Sequence, residues 1–413
     1  MVSFFTPRLC LLYFVAVSPS LGTAVAALGR LALYLMALGY LLAAVRRTSR
    51  NSSFSNARLP IAVILASAFY MALSVAWSSV DLADAWISCT LHARLLTIPI
   101  LVYLLQDEAE GHAVLRAFAY AQLFVVISSS MLVLGLPVPW ALAVGQFNPY
   151  TVFGSYLEQS ISQAVLVGIL WFQRDTIFGP RGRRAAIIAA AATLVLTLGF
   201  MQGRSGHLVA VGVVTLACLY ALPKNYKWAI VVVPFLVVAL MLAGSSNLRN
   251  RLLEVNSEVS AYTQSAAKVT SSGDRLEYWR ASVLAFTDKP LLGYGAGSWN
   301  HEYRRIEGVK PTINTANPDN PHQLFLLWAV EGGTVGMALL CAVFWVVFLH
   351  SRQLKRPDAL TQQAILLSLA ISGMFNSMIY GIGMGDFFCI AIGLLMSMGS
   401  ALPATQEASH SGR

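Results

Sequence analysis

The chain has 413 residues, 57% hydrophobic and 11% charged, with a formal net charge of +9 and a mean hydropathy of +0.64. A water-soluble domain carries roughly 25% charged residues. A chain this poor in charge cannot cover itself against water, which excludes a soluble single domain. Its apolar runs of about 20 residues, rich in Leu, Ala, Val and Gly, suit membrane-crossing helices rather than the short alternating strands of a barrel.

In chain order, the runs predict about twelve spans in an all-α bundle: 9–28, 30–45, 60–77, 86–105, 113–135, 152–173, 185–202, 205–222, 228–243, 322–349, 361–381 and 386–402. The first has only Arg8 on its flank and no cleavage site after it, so it reads as a span and not as a signal peptide. Positive residues gather in alternate loops: Arg46, Arg47, Arg50 and Arg58; Arg174, Arg181, Arg183 and Arg184; Lys224 and Lys227; Arg352, Lys355 and Arg356. The intervening stretches 78–85 and 136–151 carry none. The positive-inside rule then places both termini in the cytoplasm. Topology accounts for most of the positive charge, so no nucleic-acid partner is needed to explain it. Cys10, Cys89, Cys218, Cys341 and Cys389 all fall within spans and form no CxxC pair, which suggests neither a disulfide framework nor a zinc site.

Two outer features of the first half carry chemistry. Gly203-Arg-Ser-Gly206 is the hairpin between the seventh and eighth spans, and Arg204 stands at a helix N-terminus with the free amides and positive dipole that suit an anion such as phosphate. The alternative is an arginine at the lipid headgroups. Arg94 lies about 12 Å inside the fourth span at 1.5 Å per residue, and an ionisable group there is a functional candidate. Glu158 is its expected partner; snorkelling is the alternative.

The polar segment 244–321 is too long and too charged to span and reads as a partly helical outer loop between spans 1–243 and 322–413. It holds nine basic and eight acidic residues. Asp274 and Glu277 have the spacing of a capping box, which predicts a helix from Asp274 to about Thr287, stopping before Pro290. At 100° per residue, Leu276, Trp279, Val283 and Phe286 form an apolar stripe to rest on the bundle, with Arg275 and Arg280 at its edges. The arginines either aim at a ligand or merely snorkel. Gly293-Tyr-Gly-Ala-Gly297 reads as a flexible turn, neither a phosphate loop nor a dinucleotide fingerprint. Asn320 is the expected N-cap of the next span and Pro321 its first residue, so His322 falls in its first turn. The helix dipole would keep that imidazole neutral and able to act as a general base, unless it only hydrogen-bonds at the helix end.

Taken together, Gly203-Arg-Ser-Gly206, Asp274-Arg275-x-x-x-Trp279-Arg280, Pro290-Leu-Leu-Gly-Tyr-Gly295, Asn320-Pro-His322 and Glu331-Gly-Gly-x-x-Gly336 resemble the O-antigen ligase and polymerase superfamily of Gram-negative inner membranes. The motifs cover roughly residues 200–340; Gln323 stands where that family often has Asn. The resemblance implies an undecaprenyl-diphosphate-linked glycan as donor and a sugar hydroxyl of lipid A–core as acceptor, with the site facing the periplasm and the membrane lipids around it. It implies His322 as base and Arg204 and Arg275 at the diphosphate, with Arg280, Gln323 and Trp279 binding substrate; Arg94, outside the motifs, is a further substrate-binding candidate from its place inside a span. The outer loop has no DxD motif, so an inverting displacement with no metal and no cofactor is the expectation, arginines supplying the charge. A polymerase or protein O-oligosaccharyltransferase of the same superfamily remains open. A transporter fits less well, because no internal repeat is visible.

Overall fold

The computed structural model describes residues 6–44, 56–141, 148–226, 228, 232, 236, 239, 271–308 and 318–399. All its elements are helices: α1 Pro7–Val17, α2 Thr23–Ala44, α3 Arg58–Leu73, α4 Leu82–His92, α5 Thr97–Leu104, α6 Glu108–Val133, α7 Tyr156–Phe172, α8 Arg183–Phe200, α9 Arg204–Ala221, α10 Ser271–Asp288, α11 Trp299–Glu307, α12 Leu324–Ser351, α13 Arg356–Gly373 and α14 Ile382–Met396. The expected span 228–243, most of the basic loop at 46–50, the first part of the outer loop and the tail from 403 lie outside the described residues, apart from single positions at 228, 232, 236 and 239.

Among the described residues, seven helices are long and apolar enough to cross a membrane: Thr23–Ala43, Arg58–Trp77, Leu82–Leu104, Glu108–Val133, Arg183–Phe200, Arg204–Ala221 and Leu324–Ser351. The chain is thus a multi-pass membrane protein. Of the twelve expected spans, the first and last correspond to the shorter Pro7–Leu21 and Gly383–Met396. The helices α7 and α13, expected as spans 152–173 and 361–381, sit inside the bundle. In α7 every residue from Gln159 to Leu170 is buried, as a helix enclosed on all sides requires. Its N-terminus is held by a capping box between Ser155 and Glu158.

The first hairpin breaks earlier than expected. The chain leaves α1 through a 3-10 turn at Ser18–Leu21 with Pro19 in it, and Gly22 takes a φ of 101°. Proline cannot continue the hydrogen-bond ladder and a positive φ suits glycine, so these two residues outweigh the apolar continuity that suggested 9–28. The fourth span is interrupted by a 3-10 segment, Ala93–Leu96, that carries Arg94.

The long helix α12 has a backbone break at Gly333, φ 63° and ψ −160°. Breaking a helix frees the carbonyls before the break and the amides after it. Here both sets are taken by residues 290–295 of the outer loop. Thr334 N–H donates to the Pro290 carbonyl at 2.7 Å and Val335 N–H to that of Leu291 at 3.3 Å. In return, Tyr294 N–H and Gly295 N–H donate to the Val330 and Glu331 carbonyls, each at 2.9 Å. This exchange leaves no room for side chains: a Cβ on Gly293 would stand 2.5 Å from the Val330 carbonyl oxygen, and one on Gly333 would strike the Leu291 carbonyl. The glycine-rich turn is therefore pinned against a membrane helix, not flexible. Irregular backbone at membrane depth is tolerated only when protein satisfies it in this way.

Candidate functional site

Three segments meet at one end of the bundle. The first is the start of α9. Gly203 and Gly206 lie so close to Ser160 of α7 that a Cβ on either would collide with its Oγ, so the two glycines let α9 dock and leave Arg204 at its first position. Arg204 Nη1 reaches Ser272 Oγ of α10 at 3.4 Å. The second segment is the first turn of α10, where Arg275 follows Ser272 by one turn. Burial, then the Arg204 charge, lowers the proton affinity of the Arg275 guanidinium: two cations share a poorly hydrated space.

The third segment is the turn before α12. His322 is the only non-glycine with positive φ among the described residues, at 51°, a conformation that disfavours most side chains. Its amide donates to Asn320 Oδ1 at 2.9 Å. Its ring stacks on Tyr278, centroids 6.2 Å apart and planes 30° from parallel. Tyr278 is in turn held edge-on by Trp299 and Tyr303. Burial, then the nearby Arg275 charge, pushes His322 down to about 4. The ring is thus neutral at neutral pH, by desolvation and a cation rather than by the helix dipole. The expected cap is also revised. α12 begins at Leu324, and Gln323 is its N-cap, its Oε1 accepting from Leu326 N–H at 2.5 Å. Asn320 organises the preceding turn instead. The Gln323 side chain, expected to bind substrate, is engaged in this cap.

The helix α10 starts three residues before Asp274, which lies in its first turn. Its buried face is Tyr278, Ala281, Ser282 and Ala285, not the predicted stripe, because small side chains permit the closer approach to α11 and α12. Trp279 lies beside the site, its Nε1 donating to the Pro321 carbonyl at 3.1 Å and its ring 6.4 Å from that of Phe375. Arg280 points away, into an ion pair with Glu307.

Arg94 is elsewhere. It is fully buried, and its Nη1 donates to the carbonyls of Tyr380 at 2.6 Å and Gly381 at 2.8 Å. Glu158 is not its partner, being engaged in the α7 capping box. Beside Arg94, Arg30 pairs with Asp386 at 2.6 Å. The segment 374–381, which the sequence did not single out, joins the two regions: Phe375 meets Trp279, Asn376 Nδ2 donates to Ser205 Oγ at 3.0 Å, and Tyr380 lies 5.6 Å from the His92 ring. Also missed was a buried pair, His92 Nε2 and Glu331 Oε2 at 2.6 Å. Glu331 Oε1 takes the Gly297 N–H at 3.0 Å, which fastens the glycine turn. A histidine in one span and a glutamate in another, 239 positions apart, leave no local signal.

Among the described residues, the group with metal-ligand spacing is Glu108, His112 and Asp358. It lies at the opposite end of α13 from Asn376, and Lys355 Nζ already bonds Glu108 at 2.7 and 2.8 Å. What the outer site offers is two guanidinium groups and a neutral imidazole, a set able to hold a diphosphate and accept a proton beside it.

Residues 183–341 match the family model described as O-antigen ligase. The match includes the segments carrying Arg204, Arg275, Trp279, Arg280, His322 and Gln323, and excludes Arg94. A protein of Haemophilus influenzae, described as uncharacterized, is 24% identical over 201 residues, 48% of this chain and 49% of that protein. The chain thus spans about half the length of this curated relative.

Proposed function

From a chain whose residues 183–341 match a family model described as O-antigen ligase, we propose an enzyme that moves a glycan from undecaprenyl diphosphate to a sugar hydroxyl of lipid A–core at the periplasmic face of the inner membrane. The observation that carries this reading is the meeting of Arg204, Arg275 and His322 from three distant segments. Arg204 and Arg275 hold the diphosphate, and their fixed charge stabilises the negative charge that grows as it leaves. The acceptor oxygen attacks the anomeric carbon from the face opposite the diphosphate. Its proton passes to His322, the carbon–oxygen bond to the diphosphate breaks, and the anomeric configuration inverts. Two guanidinium groups supply the charge in this scheme, so no metal step is needed.

The arrangement couples the two tasks. Arg275 lowers the basicity of His322 in the free enzyme. A bound diphosphate would offset that cation, so the base gains proton affinity once the donor is in place. Tyr278 and the Asn320 turn fix the ring, leaving little reorganisation for the reaction itself.

The test is to incubate the purified protein with lipid-linked glycan and lipid A–core in detergent and look for the conjugate. Conjugate formation without an ion gradient is expected. Glycan extension on a second donor molecule, with no conjugate, would instead assign the polymerase reaction. Failure of both would leave the transporter reading.

A further inference from the structure

The apolar stripe of α10, Leu276, Trp279, Val283 and Phe286, is only partly buried against the bundle, where Trp279 packs. Val283 is 49% exposed and the other three are half-buried. Arg275 sits at one edge of this stripe, within about 100° of each member around the helix. At its other end the chain runs on into Leu291 and Leu292, which are 70% and 49% exposed.

That lower end lies at the bilayer. The Leu291 carbonyl is bonded to Val335, eleven residues past the start of α12, roughly 15 Å along the helix. The Leu292 carbonyl accepts from Trp77 Nε1 at 3.2 Å. Trp77 ends the membrane-crossing helix Arg58–Trp77, at the interfacial level where tryptophan is enriched. From Val283 back to Arg275 is eight residues, about 12 Å of helix. The surface therefore begins among lipid chains, stays apolar along α10, and finishes at two cations. It is complementary to a molecule with a long hydrocarbon tail and a diphosphate head.

We propose that this stripe is the track for the isoprenoid chain of the lipid-linked donor. The chain leaves the outer leaflet at Leu291 and Leu292 and lies along Phe286, Val283, Trp279 and Leu276. Its diphosphate then meets Arg275 and Arg204. The assignment rests on the donor reading given above, and it adds where the lipid lies and from which side it arrives.

The experiment uses the full chain in lipid nanodiscs and an undecaprenyl diphosphate bearing a photoreactive diazirine midway along its chain. Labelling is expected on residues 276–286. Val283→Asp, at an exposed position that folding does not depend on, should weaken this labelling. It should raise KM for a long-chain donor about tenfold, the scale of losing one half-buried valine contact, with kcat little changed. A donor with a short, water-soluble isoprenoid should be used equally by both forms. Leu284→Asp, equally apolar but about 100° around the helix, should change neither. Labels confined to other helices with turnover intact, or equal effects of Val283→Asp on long and short donors, would overturn the track alone. No labelling anywhere, with no turnover of either donor, would overturn the donor reading itself.

Discussion

Arg94 and Arg275 are both arginines drawn out of water, and their surroundings could hardly differ more. Arg94 is fully buried with its guanidinium on backbone carbonyls, next to the Arg30–Asp386 pair and the His92–Glu331 pair. Among the described residues, Arg275 is set against the Arg204 charge, and burial first and Arg275 second hold the neighbouring His322 imidazole neutral. Protein groups compensate the first cation. Among the described residues, the second is set against another cation, an arrangement that a ligand bringing negative charge would relieve. The contrast teaches that residue type alone does not mark a site; what matters is which groups the fold has set against it.

The largest expected effect breaks the comparison at its functional side. His322→Ala should lower turnover by about 10²–10⁴-fold, the usual worth of a general base, while donor binding stays near normal. Arg275→Lys, which keeps the charge but loses the planar fork, should weaken donor binding instead. Binding and single-turnover assays on each variant distinguish the two. If His322→Ala binds donor as poorly as Arg275→Lys, the imidazole belongs to the diphosphate clamp and the base is another group.

On the compensated side, Glu331→Ala leaves His92 without its buried partner and frees the Gly297 amide. Leaving a buried hydrogen-bonding group unsatisfied costs about 1–3 kcal/mol, so thermal unfolding in detergent should shift down. A stable variant would mean that water replaces the carboxylate and that the pair is dispensable. Gly333→Ala should come next, since φ 63° strains a side chain by about 1–3 kcal/mol and its Cβ meets the Leu291 carbonyl. Here the unfolding midpoint should fall and the 290–295 turn should become protease-sensitive. An unchanged midpoint would mean that the backbone exchange contributes little.

The pH response sharpens the link between Arg275 and His322. His322 is depressed from its ordinary value to about 4, by burial first and Arg275 second. Its neutral form therefore contributes stability that is complete above about pH 6.5 and is lost as pH falls toward 4. Arg275→Gln removes the cation but not the burial, so the His322 titration should move up while staying below 6.5. Histidine NMR on labelled protein measures this; an unmoved titration would break the proposed coupling. The smallest effect belongs to Arg280→Ala. Its guanidinium is half-exposed while the Glu307 carboxylate it pairs with is buried, so a modest loss of stability is expected. Turnover should stay near normal, and a large loss of turnover would return Arg280 to the substrate.

The motifs around Arg204, Arg275 and His322 were legible because local rules set them up: glycines beside an arginine at a helix start, and Asn-Pro before a histidine. Their detailed roles were less so. The Asn320 cap failed because the Gln323 side chain competes for the same free amides and is nearer to them. The α10 stripe is not the buried face because helical periodicity marks an apolar side without saying what packs on it, and the close approach of α11 and α12 selects the small Ala281, Ser282 and Ala285. The 374–381 segment had no sequence signal, and of the His92–Glu331 pair only Glu331 stands in a motif, with nothing to point to its partner.

By itself the sequence determined that this chain lives in a bilayer, that it is helical, and which end of the bundle carries the basic motifs. Composition and apolar run length are additive along the chain, so they survive without knowledge of contacts. Only the tertiary structure decided which arginine rests on backbone carbonyls and which is set against a second cation. Only there does the break at Gly333 meet the turn at 290–295, each satisfying the amides and carbonyls the other leaves open. Such matches depend on the approach of segments dozens to hundreds of residues apart, fitted to within tenths of an ångström, and no local pattern encodes them.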